Sequence, residues 1–285
     1  MTAYKPKSIL VATDMSHRSD RAMQRAFHLA RELKAHLTVF SAFDDAMPAE
    51  LVDALHERAG KMLKRHAKSL GEGVSYDVQT KVGDPTLEIL QAVTNTGADL
   101  LIMGTHRPRP FLDGLRDTTM QRIVRRTDCA VLLVRDPVDH DYKSILSATD
   151  FSPAATSAIQ MSNALAPKAQ IIPVHALHVP YRGMLGTTVS DKSILEQSFR
   201  LEVEPQAKAW VENNDLPTSA MEDVQITAGS PYTLLRGLVE KKEFDLICVG
   251  AHGRVGAAPS ILGSLSTDLM RDPPCDVLIT RPHLG

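Results

Sequence analysis

The sequence predicts an α/β protein built from two tandem domains, each a doubly wound, open, five-stranded parallel sheet. Three observations carry this. The chain repeats itself at the period of a whole domain, and short β-branched runs alternate with longer amphipathic ones inside each repeat, the pattern of a parallel sheet covered by helices. The 285 residues are 43% hydrophobic and 23% charged, enough for two cores of about 140 residues each and unlike a disordered or collagenous chain.

The repeat is read directly. Lys7-Ser-Ile-Leu-Val-Ala-Thr-Asp-Met-Ser16 returns as Lys143-Ser-Ile-Leu-Ser-Ala-Thr-Asp-Phe-Ser152, eight identities in ten at an offset of 136. Ala98-Asp-Leu-Leu-Ile-Met-Gly-Thr-His106 pairs with Phe244-Asp-Leu-Ile-Cys-Val-Gly-Ala-His252, and Cys129 to Arg135 pairs with Cys275 to Arg281, both at an offset of 146. The period is too long for a solenoid and fits a duplicated domain. The polar, Pro-containing stretch Asp136 to Tyr142 is the joint, which sets the domains at 1–140 and 141–285.

Strands are expected in the first copy at Ser8 to Thr13, His36 to Ala42, Ser75 to Lys81, Asp99 to Gly104 and Ala130 to Val134. In the second they fall at Ser144 to Thr149, Gln170 to His178, Met221 to Thr227, Asp245 to Gly250 and Asp276 to Thr280. Helix starts are signalled by Ser16, by Asp84-Pro85 and Ser230-Pro231, and by Asp117-Thr118 and Gly263-Ser264 before the last helices. Trp210 and Phe199 lie on a long helical stretch from Ser190 to Asn213 and read as core contacts. Right-handed crossovers give the strand order 3-2-1-4-5, with strands one and four adjacent at the point where the winding reverses.

Ligands of open parallel sheets bind beyond the strand ends at that point. In the second copy strand one ends in Thr149-Asp150-Phe151-Ser152, while strand four runs into Gly250-Ala-His-Gly253, followed by nine residues and then Gly263-Ser264. Glycines at 250 and 253 permit a tight turn and close backbone approach, and Gly263-Ser264 puts free N–H groups at a helix start. The spacing points to a phosphate near Gly253 and Ser264.

On these residues, on Val174-His-Ala-Leu-His178 and on the closing strand Cys275-Asp-Val-Leu-Ile279, the chain resembles the universal stress protein family, tandem two-domain type. The resemblance implies that Asp150, Ala176, Gly250, His252, Gly253, Gly263, Ser264 and Ser266 surround an adenine nucleotide, ATP with or without Mg²⁺. Asp150 would then accept from a ribose hydroxyl or help hold the cation, although it also reads as a simple turn or cap residue, as does Asp14. The apolar closing strands Ala130 to Val134 and Asp276 to Thr280 need cover, and pairing them inside the chain builds an intramolecular pseudo-dimer, as the resemblance implies. A further homodimer and an unidentified protein partner are the other associations it leaves open.

The first copy departs from the pattern. Arg107 stands where the second glycine belongs and Asp117-Thr118 where Gly263-Ser264 stands, so this copy is not expected to bind ATP in the same way. Its basic loop Arg107 to Arg116 either holds another anion or fills the site through an Arg107–Asp117 pair. The extra segment 179–188 of the second copy is either a lid or an ordinary variable loop.

No GxxxxGK[ST], GxSxG, HExxH or kinase signature is present. The resemblance implies, as the leading function, a nucleotide-dependent sensor or regulator in stress response. A slow ATPase, autophosphorylating protein or nucleotide-dependent transferase, and a nucleotide-independent adaptor, are the alternatives. Cys129, Cys248 and Cys275 form no CxxC pair and read as buried fillers, and His106 and His252 show no metal-ligand spacing. With 32 basic against 34 acidic residues, a net charge of -2 offers no global excess for nucleic acid. The absence of a leader or a bilayer-length apolar run gives an expected cytoplasmic location with no membrane span.

Overall fold

The computed structural model describes residues 5–44, 49–105, 118–179, 189–220, 224–241, 244–252 and 262–282. The first half runs β1 (Ser8–Ala12), α1 (His17–Leu33), β2 (His36–Phe43), α2 (Ala49–Leu70), β3 (Tyr76–Val82), α3 (Pro85–Thr96), β4 (Leu100–Gly104), α4 (Thr119–Arg126) and β5 (Ala130–Val134). The second runs β6 (Ser144–Ala148), α5 (Pro153–Leu165), β7 (Gln170–Leu177), α6 (Val189–Asn213), β8 (Gln225–Ala228), α7 (Pro231–Lys241), β9 (Leu246–Gly250), α8 (Ser264–Arg271) and β10 (Asp276–Thr280). Ten strands form one sheet in the order β3-β2-β1-β4-β5-β10-β9-β6-β7-β8, so each half has the expected 3-2-1-4-5 winding.

The strands are parallel within each half and meet at one antiparallel seam, where Val277 faces Leu133 and Ile279 faces Val131. Both closing strands are buried along their whole length. Pairing them removes two apolar edges at once, which is the physical reason for the fused sheet.

Two of the predicted caps operate, Ser16 accepting from the Ser19 N–H and Asp84 from the Leu87 N–H at 2.9 Å, while Ser152, not singled out from sequence, accepts from the Ala155 N–H at 3.2 Å; Pro85 and Pro153 stand in the first turns. One sheet face packs under α1, α2, α5 and α6 around Phe27, Leu63, Ile159 and Trp210. The other packs under α3, α4, α7 and α8 around Ile89, Ile123, Leu235 and Leu269. Each cluster draws on both halves, so the cores run through the seam. Cys248 and Cys275 are buried, Cys129 is half-buried, and burial pushes all three thiols up, Cys248 to about 11.

The joint between the halves is anchored on both sides. Tyr142 donates its hydroxyl to Asp276 Oδ2 at 2.6 Å, and Asp276 Oδ1 accepts from the N–H groups of Arg135 and Asp136 at 2.8 and 3.0 Å. The Arg25 guanidinium lies 4.2 Å over the Tyr142 ring, with Nε 3.6 Å from Asp276, and donates to the His140 carbonyl oxygen at 3.0 Å. Arg25, Tyr142 and Asp276 are all buried. Among the described residues no helix is long and apolar enough to cross a membrane.

Candidate functional site

Thr149 leaves β6 by hydrogen bonding back to Val174 of β7, after which Asp150 turns the chain. Its Oδ1 accepts from the Ser152 N–H at 3.1 Å, and Phe151 takes the left-handed backbone conformation at φ 65°. This turn carries the chain into α5, whose start at Ala154 packs against Gly250 at the end of β9. Asp14 does the same in the first half, with Oδ1 accepting from Ser16 N–H at 3.0 Å and Met15 at φ 59°. Burial raises the Asp14 carboxyl, but hydrogen bonds from Ser16 and Ser19 outweigh it and hold the group below its ordinary value. The turn role proposed from sequence therefore holds for both aspartates.

On the opposite wall, Ala251 N–H donates to the Thr280 carbonyl at 2.7 Å and Gly263 N–H to the Ala251 carbonyl at 2.8 Å, knitting the start of α8 to the end of β9. Ser266 Oγ adds a 2.9 Å bond to the Gly250 carbonyl. Gly263 is the N-cap of α8, and with no side chain it leaves that end uncapped. The first-turn N–H groups of Ser264, Leu265 and Ser266 have no intrahelical acceptor by helix geometry. All three residues line the space between α8 and the Asp150 turn.

That space is a cleft of about 260 Å³, near the lower end of small-molecule sites. Its lining is apolar at Val174, Leu234, Leu235 and Val249 and polar at Asp150, His252 and the α8 terminus. Asp150, Ala176, Gly250, His252, Gly263, Ser264 and Ser266 all line it. Gly253, the Arg107 to Arg116 loop, Asp117 and residues 180–188 lie outside the described residues.

Gly250 has a different reason from the one its motif suggests. A Cβ there would lie 2.7 Å from Ala154 Cβ and 3.0 Å from the Ala154 carbonyl carbon, so the glycine admits the start of α5. Gly104 is constrained in the same way, 2.8 Å from the Arg18 carbonyl oxygen. Close approach to a helix, common to both halves, explains this glycine without any ligand.

Sequence reading missed the wall residues Thr149, Pro231, Leu234 and Leu235, although Leu234-Leu235 just inside the helix start at Pro231 was a usable signal. It also missed an aromatic chain beneath the turn. The Phe151 ring stacks on His175 with centroids 4.7 Å apart and touches Trp210 at 5.7 Å, and Trp210 Nε1 donates to Thr156 Oγ1 at 2.9 Å. His175 Nδ1 pairs with the Thr149 carbonyl at 2.8 Å, the bond that Ser41 makes to Thr13 in the first half. Among the described residues no cluster of His, Cys, Asp and Glu is arranged to hold a metal ion by itself.

Comparison with known proteins agrees with the duplication. The model of the universal stress protein family matches residues 5–135 and again 141–281. A universal stress protein of Methanocaldococcus jannaschii is 28% identical over 141 residues, covering 46% of this chain and 83% of that protein. Universal stress protein E of Photorhabdus laumondii is 21% identical over 305 aligned positions, covering 97% of this chain and 95% of its own. A crystal structure of a universal stress protein from Archaeoglobus fulgidus superposes with a TM-score of 0.70 at 18% identity, covering 96% of each chain, and so shares the fold. Two matches to one family, one on either side of the joint, make this chain a tandem, two-domain member of the universal stress protein family.

Proposed function

We propose that the second half binds an adenine nucleotide, ATP together with a divalent cation, in the cleft between β6 and β9, and that the protein acts in stress response as a nucleotide-dependent sensor. The observation that carries the reading is the uncapped N-terminus of α8 at a cleft that is otherwise lined by apolar side chains and Asp150. Such an end favours an anion through its free N–H groups and dipole. Val174, Leu234, Leu235 and Val249 would pack on the base, and Asp150 would accept from a ribose hydroxyl or contribute to holding the cation. Occupancy would favour whichever arrangement of the Asp150 turn binds the nucleotide better.

Calorimetric titration of nucleotide-stripped protein with ATP and magnesium tests this. About one ATP per chain is expected, with binding abolished in Gly263→Asp, whose carboxylate opposes the phosphates. No binding by the unaltered protein would overturn the reading and favour an adaptor. Phosphate release that disappears in Asp150→Asn would instead favour the ATPase alternative.

A further inference from the structure

The repeat gives the seam two corresponding sides, and they are built differently. Over one side runs the joint, Asp136 to Tyr142, and α1 fills the groove beneath it. Arg25 lies 4.2 Å over the Tyr142 ring with Nε 3.6 Å from Asp276 Oδ2, and Arg21 donates to the Arg135 carbonyl oxygen. Nearby, Asp245 accepts from the Lys143 and Ser144 N–H groups with Oδ2 and pairs with His140 Nε2 through Oδ1 at 2.8 Å. A cationic group on an aliphatic stem, held among carboxylates, is thus what this side of the seam accommodates.

On the other side the offsets of 136 and 146 put Ser157 and Met161 where Arg21 and Arg25 stand, and Ala130 where Asp276 stands. Those exchanges remove two guanidinium groups and a carboxylate. They leave a cavity of about 220 Å³, lined by these three residues and by Asp99, Asp128 and Arg281 among others. Ala130, Ser157 and Met161 are buried, so the cavity reaches into the protein. Its charges do not cancel. Asp99 is anchored as Asp245 is, Oδ2 accepting from the Lys7 and Ser8 N–H groups at 2.7 and 2.9 Å, and Asp128 adds a second carboxylate. Against them stands the Arg281 guanidinium, which is committed to the end of α4. Its Nε donates to the Thr127 carbonyl at 2.8 Å, and Nη2 to those of Val124 and Arg125 at 3.0 and 2.7 Å. The lining therefore repels an anion and favours one added positive charge.

We propose that this cavity is a second ligand site, separate from the cleft, that takes a small organic cation: a guanidinium or primary ammonium group facing Asp99 and Asp128, with a short alkyl chain against Met161 and Ala130. The ligand takes the room that Arg25 fills on the opposite side. The volume is below the usual range of small-molecule sites, about 300–1,000 Å³, so the ligand is of fragment size. The inference does not depend on what binds in the cleft.

The test titrates the full chain with n-butylguanidinium, with its uncharged isostere n-butylurea and with n-butyrate, following backbone amide NMR shifts. Butylguanidinium should give saturable shifts centred on Ala130, Ser157 and Thr280, with butylurea at least about ten-fold weaker and butyrate not binding. Asp99→Asn keeps an oxygen for the Lys7 and Ser8 N–H groups and should weaken butylguanidinium about ten-fold. Asp128 is exposed, so Asp128→Asn leaves the fold intact and should weaken it in the same direction. Met161→Arg carries a guanidinium of its own into the cavity and should abolish saturation. Equal affinity for butylguanidinium and butylurea would overturn the proposal in favour of a merely apolar cavity, and preferred binding of butyrate in favour of an anion site at Arg281. No saturable shift with any of the three, or an affinity unmoved by both aspartate variants, would overturn it outright.

Discussion

The two halves share a winding order and a turn aspartate, yet they set side chains of different size above strands one and four. In the second half Val174, Val249 and Ser266 border an open cleft. The register and the repeat place the larger Phe40, Met103 and Met120 at the same positions in the first half, in the apolar cluster to which Val174 and Val249 also belong. The helix ends differ as well. Thr118 closes α4 with a capping box, Gln121 N–H donating to its hydroxyl and Thr118 N–H to the Gln121 side chain, whereas α8 begins at an uncapped glycine. The first half thus sets larger side chains and a self-satisfied helix end where the second has smaller ones and a bare glycine, without a change of fold.

The seam is asymmetric in the same sense. On one side Arg25, Tyr142 and Asp276 fill the groove under the joint with a buried polar cluster. On the other, the repeat sets Met161 in place of Arg25 and Ala130 in place of Asp276, and these residues, with Asp99 and Arg281, line a cavity of about 220 Å³. Asp276→Ala alone would strand the Arg25 charge and the Tyr142 hydroxyl, so a loss of about 3–5 kcal/mol is expected in denaturant unfolding. The double variant Arg25→Met, Asp276→Ala copies the opposite side and should recover most of that loss. Equal destabilisation by the single and double variants would show that the cluster's charges are not coupled across the seam.

The cleft comparison can be broken directly by giving the second half the first half's side chains. Val174→Phe with Val249→Met should abolish ATP binding, at least a hundred-fold in affinity, while stability changes by less than about 1.5 kcal/mol because the added volume has a cleft to enter. Undiminished binding would mean that apolar bulk is not what separates the two halves. The difference would then lie in Thr118 and the helix cap.

How far the sequence disclosed this differs between sheet and site. Strand positions were legible because each strand is a short apolar run between turn residues, and Ser8–Ala12 and Ala130–Val134 agree with expectation to within a residue. β8 is shorter than expected, beginning at Gln225 rather than at Met221, and residues 221–223 are not described. The seam followed from two apolar edges needing a partner, but its register, Val277 on Leu133, is decided by side chains far apart in sequence. The site was legible through glycine spacing and illegible where it depends on packing. His175, Phe151 and Trp210 read separately as a strand residue, a turn residue and a helical core residue, and only the fold stacks them.

Glycine substitutions sharpen the comparison further, because the spacing motif merges two kinds of glycine. Gly104→Ala and Gly250→Ala both press a Cβ onto the start of the helix after the first strand of their half, α1 and α5, at 2.8 and 2.7 Å. Both should cost about 1–3 kcal/mol, and by similar amounts, although only one belongs to an open cleft. Gly263→Ala meets nothing closer than 3.7 Å at an ordinary backbone conformation, so thermal unfolding should barely move. A cost at Gly250 well above that at Gly104 would restore a ligand-related role for the glycine.

The smallest effect expected is at the joint. His140 Nε2 pairs with Asp245 Oδ1 at 2.8 Å and Nδ1 with Asp139, while Asp245 Oδ2 accepts from the N–H groups of Lys143 and Ser144 at 2.6 and 2.9 Å. Asp99 binds Lys7 and Ser8 N–H in the same manner at the start of the first half. The Asp245 hydrogen bond, ahead of the opposing effect of burial, raises the His140 imidazole. Burial raises the Asp245 carboxyl, but His140 and the two backbone N–H groups prevail and lower it. A raised imidazole stabilises fully below its unfolded value, about 6.5, and loses that contribution as pH rises through its folded value. A lowered carboxyl stabilises above its unfolded value, near 3.9, and loses its contribution as pH falls through its folded one. The advantage of the unaltered chain over His140→Ala should thus be greatest between about pH 4 and 6.5 and shrink on either side. Because His140 is well exposed, it should stay within about 1 kcal/mol and weaken with added salt. A pH-independent difference between the two proteins in urea unfolding would mean that His140 contributes packing rather than charge.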